Sequence, residues 1–426
     1  MESGFKDKIA QSGIHGILFS VLIAIILFAP KFLFFGTLGY AILTLIWCIR
    51  THRSFTFRRE FWLYFLLYSL YVVSLLWTEN MELGLRDVEF KLLLLAGPLI
   101  FAYNKWSLKD LRSLIIGVNV VILIAFIRSI GVYMNCDDPF NDCLSNDANA
   151  LGIHPTYMAL FSVMAAVLAL YNLLYKTKIW ISNKYELIIK LLSVSFFLIS
   201  AFYTYMVGSK AGVFGLIITV TILIFVWMKN LKDKRLFKIG LVGLFLGIML
   251  VSYKLYQKPH YKQAVDRLIE YNQDNAYFRY KYGGTYWRQM ESNTARILIW
   301  HISKQLIVMH PMGVGPGDVN DVLKARYKRM NLQLLAERGL NPHNQFVQIF
   351  LGLGIIGFIV FTMIIGYNFM LAYKRKYVLL SVFGAFVLMN VIFESILEHQ
   401  HGVFFIVFFA LIFEQVSRPK EKKIEQ

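Results

Sequence analysis

The run Asn341-Pro342-His343-Asn344-Gln345-Phe346 is the part of this sequence best equipped for chemistry. It lies where a long polar stretch gives way to an apolar one, so the His343 imidazole falls at a boundary between water and lipid. An imidazole with an ordinary pKa of about 6.5 can take a proton from a hydroxyl near neutral pH. Pro is accepted in the first turn of a helix, and the run predicts a helix starting near His343; a histidine that merely caps or packs there is the plainer alternative. Three cations join it. Lys210 follows Gly208-Ser209 and precedes an apolar run, a place suited to a lipid-linked phosphate or pyrophosphate, or to a snorkelling helix anchor. Arg288 and Arg296 carry guanidinium forks that match phosphate oxygens, or else serve as solvated charges or as partners of Glu291.

Secondary candidates for substrate contact are His154, Tyr157, Arg128, Asn344, Glu394 and Glu398. His154-Pro155-Thr156-Tyr157 either orients a sugar or phosphate or simply opens a helix. Arg128 lies near the end of an apolar run, where a charge is costly and so a candidate by default, with snorkelling as the alternative. Glu394, Glu398, His399 and His401 share one short segment, but their spacing matches no zinc motif, and no metal is expected. Cys136 and Cys143 enclose Asp137, Asp138 and Asp142; a disulfide there is feasible outside the cytoplasm, and a calcium loop fits poorly. Gly313–Gly317 lacks the Gly-Lys-Ser/Thr ending of a P-loop, and neither HExxH nor GxSxG occurs. No cofactor is expected.

The elements that must position these groups are membrane helices. Of 426 residues, 57% are hydrophobic and only 16% charged, with a mean hydropathy of +0.55; a soluble domain carries about 25% charge. Apolar runs long enough to cross about 30 Å of hydrocarbon fall near 13–30, 32–49, 61–77, 88–103, 112–134, 155–175, 187–207, 211–228, 236–256, 344–372, 377–394 and 400–416. The fourth is the weakest, because Asp87, Glu89 and Lys91 stand at its start. The tenth is long and Gly-rich, which predicts tilt or a kink. The first reads as a retained span rather than a signal peptide. With the N-terminus inside, the inner segments hold 25 Lys and Arg and the short outer loops only Lys31, Arg86 and Lys210; this bias places both termini in the cytoplasm. The net charge of +18 is thus split into small patches beside helix ends, which argues against a nucleic-acid groove.

The organisation that follows is nine spans over 1–256, a large outer loop over 257–341, three spans over 342–417, and a cytoplasmic tail over 418–426. The loop holds 6 Lys and 7 Arg against 4 Asp and 3 Glu, which makes it attractive to an anionic partner. Helical periodicity over Thr294–Met309 and over Asp318–Arg338, split by the turn-rich His310–Gly317, predicts a small helical subdomain lying over the outer face.

Taken together these residues resemble the O-antigen ligases, a family that shares a domain with the O-antigen polymerases and protein O-oligosaccharyltransferases. The likeness rests on Pro342-His343-Asn344-Gln345-Phe346 and the Gly-rich run to Gly357, and on Arg296 to Trp300 leading into His310-Pro311 and Gly313–Gly317. Gly208-Ser209-Lys210-Ala211-Gly212, His154–Tyr157 and Glu394 through Gly402 add to it, over about 150 to the end. The resemblance implies an all-α polytopic protein of GT-C-like glycosyltransferase architecture in the bacterial inner membrane. It implies a metal-independent, inverting transfer of a glycan from undecaprenyl pyrophosphate to lipid A–core oligosaccharide at the periplasmic face. It makes His343 the base, and Arg296 with Lys210 the pyrophosphate ligands; at the position of Lys210 the family usually has Arg. A polymerase and a protein O-oligosaccharyltransferase are alternatives that differ in acceptor. A lipid-linked sugar transporter or flippase is a more distant one, expected to show charges inside spans, broken helices or inverted repeats.

Overall fold

The computed structural model describes residues 13–50, 58, 61–104, 106–135, 152–175, 186–231, 233–257, 259–274, 281 and 292–418. Arg288, Glu291, Cys136, Cys143 and the acidic residues between those cysteines lie outside the described residues, as does the tail beyond Arg418.

Among the described residues the chain is helical, without strands. The helices are α1 (Ile14–Phe28), α2 (Leu33–Arg50), α3 (Phe61–Ser74), α4 (Met81–Lys91), α5 (Leu93–Tyr103), α6 (Leu108–Met134), α7 (Pro155–Leu174), α8 (Glu186–Met206) and α9 (Lys210–Lys229). They continue with α10 (Lys234–Tyr256), α11 (Pro259–Gln273), α12 (Ser292–Met309), α13 (Val319–Arg329), α14 (Gln333–Arg338), α15 (Gln345–Arg375), α16 (Val378–Phe393) and α17 (Gln400–Val416). Among the described residues six helical segments are long and apolar enough to cross a membrane: Pro30–Trp47, α6, α7, α8, α9 and α15. Five shorter apolar stretches accompany them, including α1, α16 and α17.

Two helices form the axis of the bundle. α17 is buried from Gly402 to Gln415, and α7 from Thr156 to Asn172, as befits helices that are apolar all round. Phe404 and Phe408 of α17 stack at 4.7 Å, Phe19 of α1 lies 5.2 Å from Phe404, and Phe101 of α5 packs edge-on against Phe408 at 5.8 Å. Lipid-facing residues such as Phe35, Ile49, Leu187 and Ile239 stay exposed on the surrounding helices.

Two of the expected spans are not simple helices. The fourth divides at Leu92 into α4 and α5, and Lys91 at the break is wholly buried. The tenth breaks at Gly354, whose φ of 68° and ψ of −164° leave the helical region. The amide of Ile355 there donates to the Pro311 carbonyl at 3.0 Å. The carbonyls of Leu351 and Gly352 accept from Val314 and Gly315 at 2.7 and 3.1 Å. The broken turn is thus paired by the loop over 311–315, as buried backbone must be. Gly313 and Gly354 meet backbone to backbone: a Cβ on Gly354 would lie 2.3 Å from the Met312 carbonyl carbon.

The helical subdomain has its own core, in which Ile299, Leu306, Leu323, Tyr327 and Leu335 pack with Leu351 of α15. The expected helix over Asp318–Arg338 divides into α13 and α14 at Asn331, whose φ is 58°.

Candidate functional site

The site forms where the subdomain, the start of α15 and the α16–α17 connection meet. His343 does not begin a helix. α15 starts at Gln345, capped by Asn344, whose Oδ1 accepts from the Val347 amide at 3.1 Å. His343 instead adopts a left-handed backbone with φ 47°, a strain of about 1–3 kcal/mol that His tolerates better than most residues. Three contacts hold it there. Its amide donates to Asn341 Oδ1 at 3.0 Å, Trp300 Nε1 donates to the Pro342 carbonyl at 2.8 Å, and the Asn344 amide donates to Ser395 Oγ at 3.2 Å.

Glu394, the residue after α16, joins the parts of the site. Its Oε2 lies 3.0 Å from His343 Nδ1, and its Oε1 accepts from Arg296 Nη2 at 2.6 Å. Arg296 and Trp300 are four residues apart on α12, hence on one helix face, so one face grips both Glu394 and the His343 loop. The Glu394 side chain is 14% exposed and that of His343 25%. Burial pushes the Glu394 carboxyl pKa up, but the His343 hydrogen bond and the Arg296 guanidinium outweigh burial and hold it below the ordinary carboxylate value. An ionised Glu394 takes the Nδ1 proton as its hydrogen bond, which leaves the lone pair on His343 Nε2. Nε2 has no hydrogen-bond partner among the described residues. A carboxylate-oriented imidazole with an open nitrogen is equipped as a general base. Arg296 retains further N–H donors for an anion.

The other candidates fall into three groups. His154 and Tyr157 lie beside the cluster: His154 caps α7, its ring 6.1 Å from that of Tyr157, and Tyr157 is buried against His399 at 5.1 Å and His401 at 5.7 Å. Burial, then the His154, Lys91 and Arg86 charges, lowers the His399 pKa, which favours the neutral ring. Lys210 stands at this same end of the bundle as the half-buried first residue of α9, after the Gly208 turn and the Ser209 cap. Gly212 meets Ala159 near the start of α7, and Gly215 meets Phe386 and Met389 near the end of α16. Glu398 is engaged elsewhere: it accepts from Lys91 Nζ at 3.3 Å and Gln348 Nε2 at 3.0 Å. Burial pushes its carboxyl up, to about 7, with Asp87 adding to that and Lys91 opposing it. Arg128 lies on the exposed side of α6 and makes no hydrogen bond or ion pair among the described residues. The Asn344 side-chain oxygen is spent on its cap.

Among the described residues no group of three or more His, Cys, Asp and Glu is arranged to hold a metal. Trp300, Ser395, Gln345 and Lys91 contribute contacts to which sequence reasoning gave no role, although each lies in a segment it quoted. The signal for Lys91 was a cation with Asp87 one turn before it at the start of an apolar run.

No curated protein matches the chain. Residues 195–362 match the family model described as O-antigen ligase, a stretch that contains Lys210, Arg296 and His343 and stops short of Glu394. Members of that family are glycosyltransferase-like enzymes, and with its apolar helices the chain is a multi-pass membrane protein. Over residues 195–362 the chain is therefore similar to the O-antigen ligase family, in agreement with the resemblance drawn from its motifs.

Proposed function

We propose that this protein is a GT-C-like glycosyltransferase that moves a glycan from undecaprenyl pyrophosphate to lipid A–core oligosaccharide at the periplasmic face of the inner membrane. The observation that carries the reading is the shared Glu394 carboxylate, which sets a base and a phosphate-binding arginine side by side. His343 Nε2 takes the proton from the acceptor hydroxyl as its oxygen bonds to the anomeric carbon. The bond from that carbon to the pyrophosphate oxygen breaks on the opposite side, which inverts the centre. Undecaprenyl pyrophosphate leaves with the bonding electrons, and Arg296 and Lys210 meet the charge that builds on it. Glu394 stabilises the imidazolium until its proton is passed to water. The donor is already activated, so the mechanism calls for no nucleotide.

Acceptor choice resides in the shape of the site around the bound glycan, and a deletion strain examined by lipopolysaccharide gel tests it. A ligase gives loss of ligated chains with accumulation of lipid-linked polymer; survival of single-repeat attachment assigns a polymerase instead. A His343→Ala copy is expected to reach the membrane and fail to restore ligated chains. Full restoration by that copy removes His343 from the mechanism.

A further inference from the structure

Helix α4 is tied at both ends to pieces of the site that are far from it in sequence. At its start, the amides of Glu79 and Asn80 donate to the two oxygens of Asp318, at 2.8 and 2.7 Å, and Asn80 Nδ2 donates to Asp321 at 2.8 Å. Asp318 ends the loop that leads out of α12, the helix bearing Arg296. The contact is tight: a Cβ on Gly317 would lie 2.2 Å from the Asn80 carbonyl oxygen, and one on Gly315 2.5 Å from Thr78 Oγ1.

At the far end of α4, Lys91 Nζ lies 3.0 Å from Asp87 and 3.3 Å from Glu398, 5.0 Å from the centre of the Tyr71 ring, with its side chain wholly buried. Glu398 is four residues beyond Glu394 in a connection whose intervening Ile396 and Leu397 are buried. Gln348 donates to the second Glu398 oxygen, and Gln345 Oε1 accepts from the Leu397 amide at 2.6 Å. One lysine thereby fixes the connection that carries Glu394 to the first turns of α15, directly after His343. A buried ion pair is a poor device for stability, since an apolar residue of similar volume serves as well or better. What it does supply is a directional contact that a Met would not.

We infer that α4 is a brace for the transfer reaction, with Lys91 and Asp318 as positioning residues that set the separation between Arg296 and the His343–Glu394 pair. Neither residue touches substrate. Asp318 acts through the subdomain that holds Arg296, and Lys91 acts through Glu398 on Glu394. The inference rests on the function proposed above.

The test uses the purified full chain in lipid nanodiscs, a synthetic polyprenyl-pyrophosphate oligosaccharide as donor and lipid A–core as acceptor. Lys91→Met, Glu398→Gln and Asp318→Asn are compared with wild type and with His343→Ala, and turnover is counted per folded molecule after a melting curve. Displacing a reacting group by about 1 Å costs about 10²-fold. The brace therefore predicts a kcat loss of about 10- to 10²-fold at unchanged donor KM. The Lys91→Met/Glu398→Gln double variant is expected to lose no more than the worse single one, as residues in one network do. If Lys91→Met fails to fold, Glu398→Gln, which keeps the side-chain shape, carries the same comparison. Variants that melt earlier yet turn over like wild type show a merely structural ion pair and overturn the brace. Absence of transfer by wild type itself rejects the proposed function, and the brace with it; normal turnover in the variants beside an inactive His343→Ala rejects the brace alone.

Discussion

Glu394 does two jobs with one side chain: it orients the His343 ring and it holds Arg296. Glu394→Gln keeps the shape, but its amide can present an N–H to Nδ1 and so favour the wrong tautomer. The expected loss in kcat is about 10²–10⁴-fold, with membrane insertion intact, read by in vitro transfer. The same ion pair sets a pH signature. The folded pKa of Glu394 lies below its ordinary value of 4.5, so its contribution to stability is complete above the unfolded pKa and is lost as pH falls through the folded one. Wild-type melting temperature is expected to drop on acidification below about pH 4, and less so in Glu394→Gln; equal acid sensitivity in both would remove the pair from the stability of the fold.

At the scale of elements, the broken α15 is what allows the subdomain to seat. Its kink is a backbone exchange with the loop over 311–315, and it depends on Gly313 and Gly354 having no side chain. Gly354→Ala forces a Cβ into the Met312 backbone at a positive φ, a change expected to cost more than about 1 kcal/mol, with a lower melting temperature and reduced transfer. Gly366→Ala lies in the same helix and meets nothing within 4 Å. It is expected to be neutral or slightly stabilising, by up to about 1 kcal/mol. A Gly354→Ala protein that melts like Gly366→Ala would show that the broken turn needs no glycine. The break bears also on the transporter alternative: the freed backbone groups of α15 are occupied by subdomain backbone rather than facing a cavity, and the buried Lys91 is spent on two carboxylates.

For the whole molecule, the subdomain, Glu394, Tyr157 and Lys210 all gather at one end of the bundle. The opposite end gathers Arg58, Arg375 and Arg418 around Glu414. In the proposed function the first end faces the periplasm, the orientation expected from the Lys/Arg bias. Lys324 is exposed on α13, so a single cysteine placed there, Lys324→Cys, is expected to react with a membrane-impermeant maleimide in intact cells with a permeabilised outer membrane. Labelling only after lysis would put the site on the cytoplasmic side, where lipid A–core export has not yet occurred, and would sink the proposed reaction.

Local physics made much of this legible in the sequence. Apolar run length located helices such as Ile14–Phe28, Pro155–Leu174 and Gln400–Val416, and among the described residues six helical segments are long and apolar enough to cross a membrane. The Gly-rich tenth run announced its kink. Residue chemistry at a lipid–water boundary pointed to His343 as a candidate, and guanidinium chemistry pointed to Arg288 and Arg296 alike. Hydropathy and periodicity describe a segment's own preference, and they carry no information about its distant partners. The tertiary structure alone decided that Glu394, 51 residues beyond His343 and 98 beyond Arg296, is what joins them. It alone turned the fourth run into two helices around a buried Lys91, because a cation in that setting is stable only where folding delivers Asp87 and Glu398 to it.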